Sequence, residues 1–158
     1  MSKITPAVRF LEQTGVAFSV RTYDYDPNAD RVSLQAAEAV GADPACVFKT
    51  LMALVDNKPV CAIIPSDHEL SMKKLAAAFG GKRAKMMQPS AAERITGYKV
   101  GGISPFGQLR TSPTAIEVQA LTHEQIYING GQRGLLVRLD PNEAVRILSA
   151  IAVPLAAE

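Results

Sequence analysis

Apolar and polar residues follow two different periods along this chain of 158 residues. Apolar residues at every second position between Val16 and Tyr23 predict a half-buried strand. The segments Val47 to Val55 and Pro59 to Ile64 are largely apolar on both faces, so we predict two central strands joined by a turn at Asp56-Asn57-Lys58. Between residues 72 and 79 the apolar positions recur at intervals of three and four, which predicts an amphipathic helix.

Capping residues and glycines indicate where the helices begin and end. Thr5 followed by Pro6 is typical of a helix start, and Gly15 is typical of its end. Ser71 and Gly80 bracket the amphipathic segment in the same way. Four more helical segments are predicted: one capped by Ser33 and ending at Gly41, one turn after Asp43-Pro44, one from Pro89 to Ile95 stopped by Gly97, and one after Asp140-Pro141.

The remaining predicted strands are short and lie at Arg83 to Met87, Tyr98 to Val100, Ile126 to Asn129 and Leu135 to Leu139. The last two flank a glycine-rich turn and are predicted to form a hairpin. Because strands and helices are intermixed without a regular repeat, we expect an α+β domain around a mixed sheet. The length and a hydrophobic content of 47% suit one ordinary domain with a sizeable core.

Composition limits the class of protein. The longest purely apolar runs, at 51–55 and 60–64, contain five residues each, far fewer than a membrane-spanning helix needs. No signal peptide is apparent, because the chain enters a capped amphipathic pattern directly after Met1. The two cysteines, Cys46 and Cys61, have neither C-x-x-C nor metal-ligand spacing, so a reducing cytoplasm is the simplest compartment.

Positive charge is concentrated in one stretch, although the net charge is only +2. One interpretation is a solvated helix face followed by a charged turn. The second is a contact with nucleic-acid phosphates, which needs further signs of such a partner. Between Met72 and Lys85, with no acid among them, lie Lys73, Lys74, Lys82, Arg83 and Lys85.

The segment from Thr96 to Gln108 carries four glycines and a proline but no acid, histidine or cysteine. Glycine allows the main chain to approach a ligand closely, and Pro105 fixes its own φ while favouring extended geometry at Ser104. We therefore predict a rigid loop with exposed backbone N–H groups. Neither a P-loop nor a G-x-G-x-x-G pattern fits it, and a purely structural β-turn is the alternative.

Lys49 is the first candidate for chemistry, because it interrupts an apolar strand. Such a lysine either extends its ammonium to the rim of the fold or is held where its charge is useful. Cys46 lies three residues earlier, close enough to border the same site, although a small buried hydrophobe is the simpler interpretation. His68 and His123 have no partner at zinc-binding spacing, so we expect no metal and no cofactor.

Four further segments accompany the glycine loop in a fixed order. They are Thr5-Pro6-Ala7-Val8, Thr22-Tyr23, Val47-Phe48-Lys49-Thr50-Leu51 and the stretch from Ile126 to Leu135. Together with the loop they resemble the YbaK family over nearly the whole chain. Those proteins are bacterial editing enzymes that act in trans and remove cysteine from proline tRNA mischarged by prolyl-tRNA synthetase. The resemblance implies a closed or nearly closed mixed β-barrel with peripheral helices, with residues 1–158 forming a single editing domain.

The resemblance also implies roles for individual residues. Lys49 matches the essential lysine of the family, since all five residues of its V-[FY]-K-T-L setting agree. The backbone N–H groups of the loop would bind the aminoacyl ester or the terminal adenosine, and the basic stretch becomes a candidate for tRNA phosphates. Asn129 either bonds the substrate or shapes its turn, and Tyr23 either lines the pocket or packs at an edge. The implied substrate-binding residues are Tyr23, Val32, Thr50, Gly101, Gly102, Ile103, Ser104, Pro105, Asn129 and Gly130.

The implied mechanism is substrate-assisted, because no general base accompanies Lys49. The thiol of a cysteinyl ester attacks its own carbonyl, and the protein positions the groups and stabilises charge. Val32 and Leu136 depart from the cysteine-specific pattern, which has an aromatic residue and an acid there, so removal of alanine or another small amino acid by water attack is an alternative.

Two hypotheses of a different class stand beside editing. The domain could bind aminoacylated tRNA or the synthetase without turnover, although an intact Lys49 and glycine loop argue against this. It could instead be a lysine Schiff-base enzyme for a small carbonyl compound, with Lys49 as the amine nucleophile. Editing ranks first, and its expected partners are aminoacylated tRNA and, transiently, prolyl-tRNA synthetase, with no membrane.

Overall fold

The computed structural model describes residues 4–28 and 32–158, and an eight-stranded mixed sheet dominates this part of the chain. Three-residue and five-residue 3₁₀ turns lie at Pro44–Cys46 and Val118–Thr122. The α-helices are α1 (Pro6–Thr14), α2 (Val32–Val40), α3 (Met72–Ala78), α4 (Pro89–Thr96) and α5 (Pro141–Leu148). The strands are β1 (Phe18–Thr22), β2 (Val47–Val55), β3 (Lys58–Pro65), β4 (Ala84–Met86), β5 (Thr114–Glu117), β6 (Ile126–Asn129), β7 (Leu135–Leu139) and β8 (Ile151–Val153).

The predicted caps of α1 and α3 are confirmed. The Thr5 hydroxyl accepts a hydrogen bond from the Val8 N–H, and Gly15 ends the helix in the left-handed conformation. The Ser71 hydroxyl accepts from the Lys74 N–H at the start of α3. α2 begins at Val32, one residue before the predicted cap Ser33, whose side chain lies outside what the structure describes.

The strand order is β1-β7-β6-β2-β3-β5-β8, and β4 pairs with β2 beside β6. Neighbours pair antiparallel except for β2 with β6, β3 with β5 and β5 with β8, which are parallel. The mixed sheet with surrounding helices is confirmed. Within the described ranges no pairing joins β1 to β8, so the hydrogen-bond ladder is open at these two edges.

The long central strand β2 separates two apolar clusters. On one face Phe48 and Met52 pack with residues of α1, α4 and the strands β6 and β7. On the other face Ala53 and Val55 pack with Leu75 of α3 and with β3. No helix in the described segments is long and apolar enough to cross a membrane.

The strands differ from the predictions in three ways. The segment Tyr98 to Val100 is not a strand, because the Tyr98 hydroxyl donates to the Phe106 carbonyl at 2.6 Å and the Val100 N–H donates to the Glu93 carboxylate at 2.9 Å. Strands β5 and β8 were not predicted. β1 is an edge strand and mostly exposed, so its apolar alternation does not correspond to a half-buried strand.

A buried carboxylate fixes the C-terminal segment to the sheet. Glu117 ends β5 with only 4% of its surface exposed. Its two oxygens accept hydrogen bonds from the N–H groups of Leu155, Ala156 and Gln119 at 2.8–3.0 Å. Burial alone would raise the pKa of Glu117, but these donors and nearby Lys74 together hold it below its ordinary value.

Candidate active site

A cavity of about 480 Å³ lies beside the middle of β2. Its other walls are the glycine loop, the connection from β4 to α4, and the ends of β1 and β6. Six of the residues selected from the sequence line it together, although they lie far apart in the chain: Tyr23, Lys49, Thr50, Gly101, Ile103 and Asn129.

The cavity opens where β2 lacks a neighbouring strand on one side. On that side β2 pairs with β6 only at Val47 and Phe48, and with β4 only from Ala53 to Val55. Consecutive residues of a strand point to opposite faces. Because β2 forms an edge here, both Lys49 and Thr50 border the cavity.

Lys49 is half-buried, and its ammonium donates to the Ser66 carbonyl at 3.5 Å. Burial lowers the pKa of this lysine, because the charged form loses hydration. The carboxylates of Glu69 and Asp67 oppose the shift by favouring the cation. A partly desolvated ammonium beside a cavity is a group that stabilises negative charge on a ligand.

Thr50 has a buried hydroxyl without a hydrogen-bond partner among the described residues. Its Oγ1 atom is buried, and it is the sole buried side-chain nitrogen or oxygen in the described ranges that has no hydrogen-bond partner. More than nine in ten buried polar groups in proteins have one. Thr50 also lines the cavity, so this unpaired hydroxyl lies close to where a ligand would bind.

The glycine loop is held against the β6–β7 turn. The Val100 carbonyl accepts from Arg133 Nε at 2.9 Å, and the Gly101 carbonyl accepts from Asn129 Nδ2 at 3.3 Å. Gly101 has a φ of +91°, and a Cβ atom there would lie 2.8 Å from the Tyr25 hydroxyl. A Cβ atom on Gly102 would lie 2.8 Å from the Arg133 backbone nitrogen. Both glycines are therefore required by close approach.

The loop offers fewer donors to the cavity than the sequence suggested. The N–H of Gly102 already donates to the Lys99 carbonyl at 2.8 Å. Gly101 and Ile103 both line the cavity, and within the described ranges their N–H groups have no acceptor. These two residues line the same cavity as Lys49 and Thr50.

Asn129 uses both atoms of its amide within the protein. Its Oδ1 atom accepts from the N–H groups of Gly131 and Gln132 at 2.6 and 3.2 Å, and its Nδ2 atom donates to the carbonyls of Gly101 and Gln132 at 3.3 Å. It lines the cavity mainly as the residue that joins the loop to the hairpin. Of substrate binding and turn shaping, the geometry favours turn shaping.

Four selected residues lie outside the cavity lining. Ser104 is fully buried, its hydroxyl accepts from the Phe106 N–H at 3.2 Å, and its carbonyl accepts from Gln108 at 2.9 Å. Pro105 and Gly130 are also buried without lining the cavity. Gly102 is outside the lining as well and packs against the backbone of Gln132 and Arg133. The side chain of Val32 lies outside what the structure describes.

The basic stretch divides into two groups. Lys74 is half-buried and its ammonium donates to the Ala156 carbonyl at 2.7 Å, so it holds the C-terminal segment. The side chains that are exposed to solvent are Lys73, Lys82, Arg83 and Lys85. Lys85 precedes Met86, which lines the cavity, so the exposed group reaches the strand next to the cavity.

Several lining residues were not selected from the sequence. Tyr25 lies on the loop after β1, and Arg133 lies 5.5 Å from its ring centroid. Met86 and Met87, together with Leu136, which the sequence had marked as a specificity position, make much of the wall apolar. The Tyr-x-Tyr spacing of Tyr23 and Tyr25 was the one available signal, because alternate residues of an extended segment share a face.

The cysteines and histidines do not enter the site. Cys46 is outside the lining, and its thiol donates to the Asp43 carbonyl at 3.1 Å. Cys61 is buried, and burial raises the pKa of its thiol to about 12. His68 pairs with the Asp67 carboxylate at 2.7 Å. In the described residues no three histidine, cysteine or acidic side chains cluster closely enough to hold a metal ion.

The sequence matches a profile described as the aminoacyl-tRNA editing domain over residues 26–147. A protein of Enterococcus faecalis, provisionally named Cys-tRNA(Pro)/Cys-tRNA(Cys) deacylase EbsC, is 37% identical over 148 residues, which cover 92% of this chain and 88% of that protein. The Multifunctional Ser/Thr-tRNA deacylase ProXp-y of Escherichia coli K12 is 26% identical over 145 residues, which cover 89% of this chain and 84% of that protein.

Similarity extends to a part of larger enzymes and to a solved structure. The proline–tRNA ligase of Geobacter metallireducens matches over 92 residues at 28% identity, which is 58% of this chain and 16% of the ligase. A crystal structure provisionally described as a trans-editing enzyme for prolyl tRNA synthetase superposes with a TM-score of 0.84 at 23% identity, covering 99% of this chain and all of that one. At this identity the structural likeness shows the fold.

Proposed function

Because the chain belongs to the aminoacyl-tRNA editing domain family, we propose that it is a trans-acting deacylase that removes cysteine from mischarged proline tRNA. One observation supports this most strongly. Lys49 lines the same cavity as Gly101 and Ile103, whose backbone N–H groups have no acceptor in the described ranges. Such an arrangement suits an ester whose carbonyl oxygen becomes negative during the reaction.

The reaction needs no nucleophile from the protein. The substrate thiolate attacks its own ester carbonyl, a carbon–sulfur bond forms, and the carbon–oxygen bond to the ribose breaks. The proton lost by the thiol ends on the released ribose hydroxyl, and cysteine leaves as a cyclic thiolactone. A few per cent of an ordinary thiol is ionised at neutral pH. This route agrees with the cavity lining, in which no carboxylate, histidine or cysteine among the described residues accompanies Lys49.

The protein's own groups position the ester and stabilise charge. The backbone donors of Gly101 and Ile103 hold the acyl oxygen, and each well-placed donor of this kind lowers an acyl-transfer barrier by about 3 to 4 kcal/mol. The Lys49 ammonium stabilises the developing negative charge on the ribose oxygen or binds the terminal phosphate. Its depressed pKa reflects the desolvation that makes such a charge effective.

The apolar wall favours cysteine over serine or threonine. Leu136, Met86 and Met87 line the cavity with groups that cannot bond a hydroxyl. Burying an unpaired hydroxyl costs about 1 to 3 kcal/mol, whereas a thiol is a weak hydrogen-bonding group. Leu136 is fully compatible with a methyl group as well, so alanine removal by water attack is the second candidate.

A deacylation panel separates these candidates. The same proline tRNA is charged with cysteine, alanine or serine and incubated with the full chain, and release of each amino acid is followed under single-turnover conditions. We expect cysteine to be released fastest. Faster release of alanine supports the second candidate, and faster release of serine contradicts the proposed specificity. Tight binding without any release indicates a binding protein, and borohydride trapping of Lys49 by a carbonyl compound indicates a Schiff-base enzyme.

The proposal includes partners and a place of action. Aminoacylated tRNA is the substrate, its phosphates contact the exposed basic residues, and residues 1–158 act as one editing domain in the cytoplasm. Domains of this kind also occur within proline–tRNA ligases, so a transient complex with prolyl-tRNA synthetase would bring the editing site close to newly mischarged tRNA.

A further inference from the structure

The sheet register leaves the main chain of Thr50 unpaired. The Ser66 N–H donates to the Val47 carbonyl at 2.8 Å, so the odd-numbered residues of β2 direct their N–H and carbonyl groups toward β3. The even-numbered residues therefore direct theirs to the opposite side. There the Met87 N–H donates to the Met52 carbonyl at 3.1 Å, while pairing with β6 stops at Phe48.

Thr50 lies in the interval between those two pairings. On this side of β2, within the described ranges, its N–H and carbonyl have no ladder partner. Its Oγ1 atom is buried without a partner as well. Thr50, which lines the cavity, thus has three polar groups without a partner, in a fold that pairs its remaining buried side-chain polar atoms across the described residues.

The chemistry of the two sides of the cavity differs. The glycine-loop side offers the N–H groups of Gly101 and Ile103, which have no acceptor in the described ranges. The Thr50 side offers two acceptors, a carbonyl and a hydroxyl, besides one N–H. A free aminoacyl ester is complementary to this pair, because its carbonyl accepts hydrogen bonds and its α-amino group donates two or three.

We propose that the break in β2 at Thr50 binds the α-amino group of the aminoacyl ester, so that the site takes substrates with a free amino group and rejects N-acylated ones. This inference rests on the proposed function, since it assumes an aminoacyl ligand. N-acylation removes the positive charge, leaves a single N–H and adds bulk between the end of β6 and Met87. The unpaired groups of Thr50 in β2 would therefore make a free amino group a requirement for binding.

The test uses ligands that cannot be cleaved. The probes are 3′-deoxy-3′-(L-alanylamino)adenosine and its N-acetyl derivative, with binding to the full chain measured by calorimetry. The variants are Thr50→Val, which removes the hydroxyl at nearly constant shape, and Thr50→Ser, which keeps it. Thermal unfolding of each variant reports on folding, and Thr50→Val should melt at the same temperature or higher, because it removes an unpaired buried hydroxyl.

For the parent chain we expect the free-amino probe to bind at least about tenfold more tightly than the N-acetyl probe. Thr50→Val should weaken the free-amino probe by about fivefold or more and reduce this preference, while Thr50→Ser retains it. Equal binding of both probes, no binding of either, or equal weakening of both by Thr50→Val would overturn the assignment. If the preference is found but no aminoacyl-tRNA is deacylated, the proposed function fails and the amino-group site stands.

Discussion

Two buried polar groups of this fold are treated in opposite ways. The Glu117 carboxylate, 4% exposed, accepts three backbone hydrogen bonds and ties the C-terminal segment to β5. The Thr50 hydroxyl, buried on the central strand, has no partner in the described ranges. The first arrangement stabilises the fold, because the charge-assisted bonds compensate for lost hydration. The second is unfavourable by itself and becomes favourable when a ligand completes it.

The contrast separates residues that hold the structure from those available to a substrate. Asn129 and Ser104 belong with Glu117, since their polar groups are occupied within the protein. Lys49 belongs with Thr50, because its hydrogen bond within the described ranges is a long one to the Ser66 carbonyl. Changing a residue of the first kind should alter stability, and changing one of the second kind should alter activity.

The largest effect on activity away from Lys49 is expected at Gly101. Gly101→Ala places a methyl group against the Tyr25 hydroxyl and displaces a backbone donor, so deacylation should slow by about 100-fold or more. Gly15→Ala is the matched control, since Gly15 has a similar positive φ of +78° and no neighbour within 4 Å. Both variants should lose similar stability, and a similar loss of activity in both would show that the loop has no special role. Single-turnover rates and thermal melts give the comparison.

A clear loss of stability is expected at Glu117. Glu117→Gln removes the charge and one acceptor oxygen, so the free energy of unfolding should fall by about 1 to 3 kcal/mol at pH 7. Denaturant titration measures this, while the rate of deacylation by the folded variant should stay unchanged. An unchanged free energy would mean that the carboxylate does not clamp the C-terminal segment.

The same pair of proteins has a defined pH dependence. The pKa of Glu117 is lowered in the folded state, so its contribution is fully present above the unfolded pKa, near about 4.3, and is lost as pH falls toward the folded pKa. The stability gap between the parent and Glu117→Gln should therefore be largest above about pH 5 and shrink at lower pH. A gap that widens on acidification has the wrong sign for this account.

The smallest effects are expected at the exposed basic residues. Lys82→Ala and Arg83→Ala should each weaken binding of tRNA by about two- to fivefold and reduce the dependence of log affinity on log salt by about one. Lys74→Ala is the control, because its ammonium bonds the Ala156 carbonyl and its loss should lower stability instead. Filter binding at several salt concentrations distinguishes the two groups. Equal weakening by Lys74→Ala would contradict the division of the basic stretch into a structural and a tRNA-binding group.

Local signals predicted local structure well. The hydroxyl caps of Thr5 and Ser71 were predicted because capping depends on residues three positions apart. Strand β8, only three residues long, has no distinctive pattern, and its pairing with β5 depends on residues more than thirty positions away. The run Tyr98 to Val100 has strand-like residues, but contacts with Phe106 and Glu93 hold it in a loop.

The residues of the site likewise divide into those that a local motif predicts and those that depend on distant contacts. Lys49 and the glycine loop stand in short motifs, so the sequence alone was sufficient to select them. The unpaired state of Thr50 depends on where β6 and β4 stop pairing with β2, which is a property of the register. Arg133 reaches Tyr25 across more than a hundred residues, and no local pattern predicts that contact.

The most direct test is the single-turnover deacylation of cysteinyl-tRNA(Pro) by the parent and by Lys49→Ala, with Lys58→Ala as an exposed-lysine control. We predict that Lys49→Ala slows release of cysteine by about 100-fold or more while its melting temperature stays within a few degrees of the parent, and that Lys58→Ala matches the parent in both. Release by Lys49→Ala at the parent rate would contradict the assignment of this cavity as the editing site.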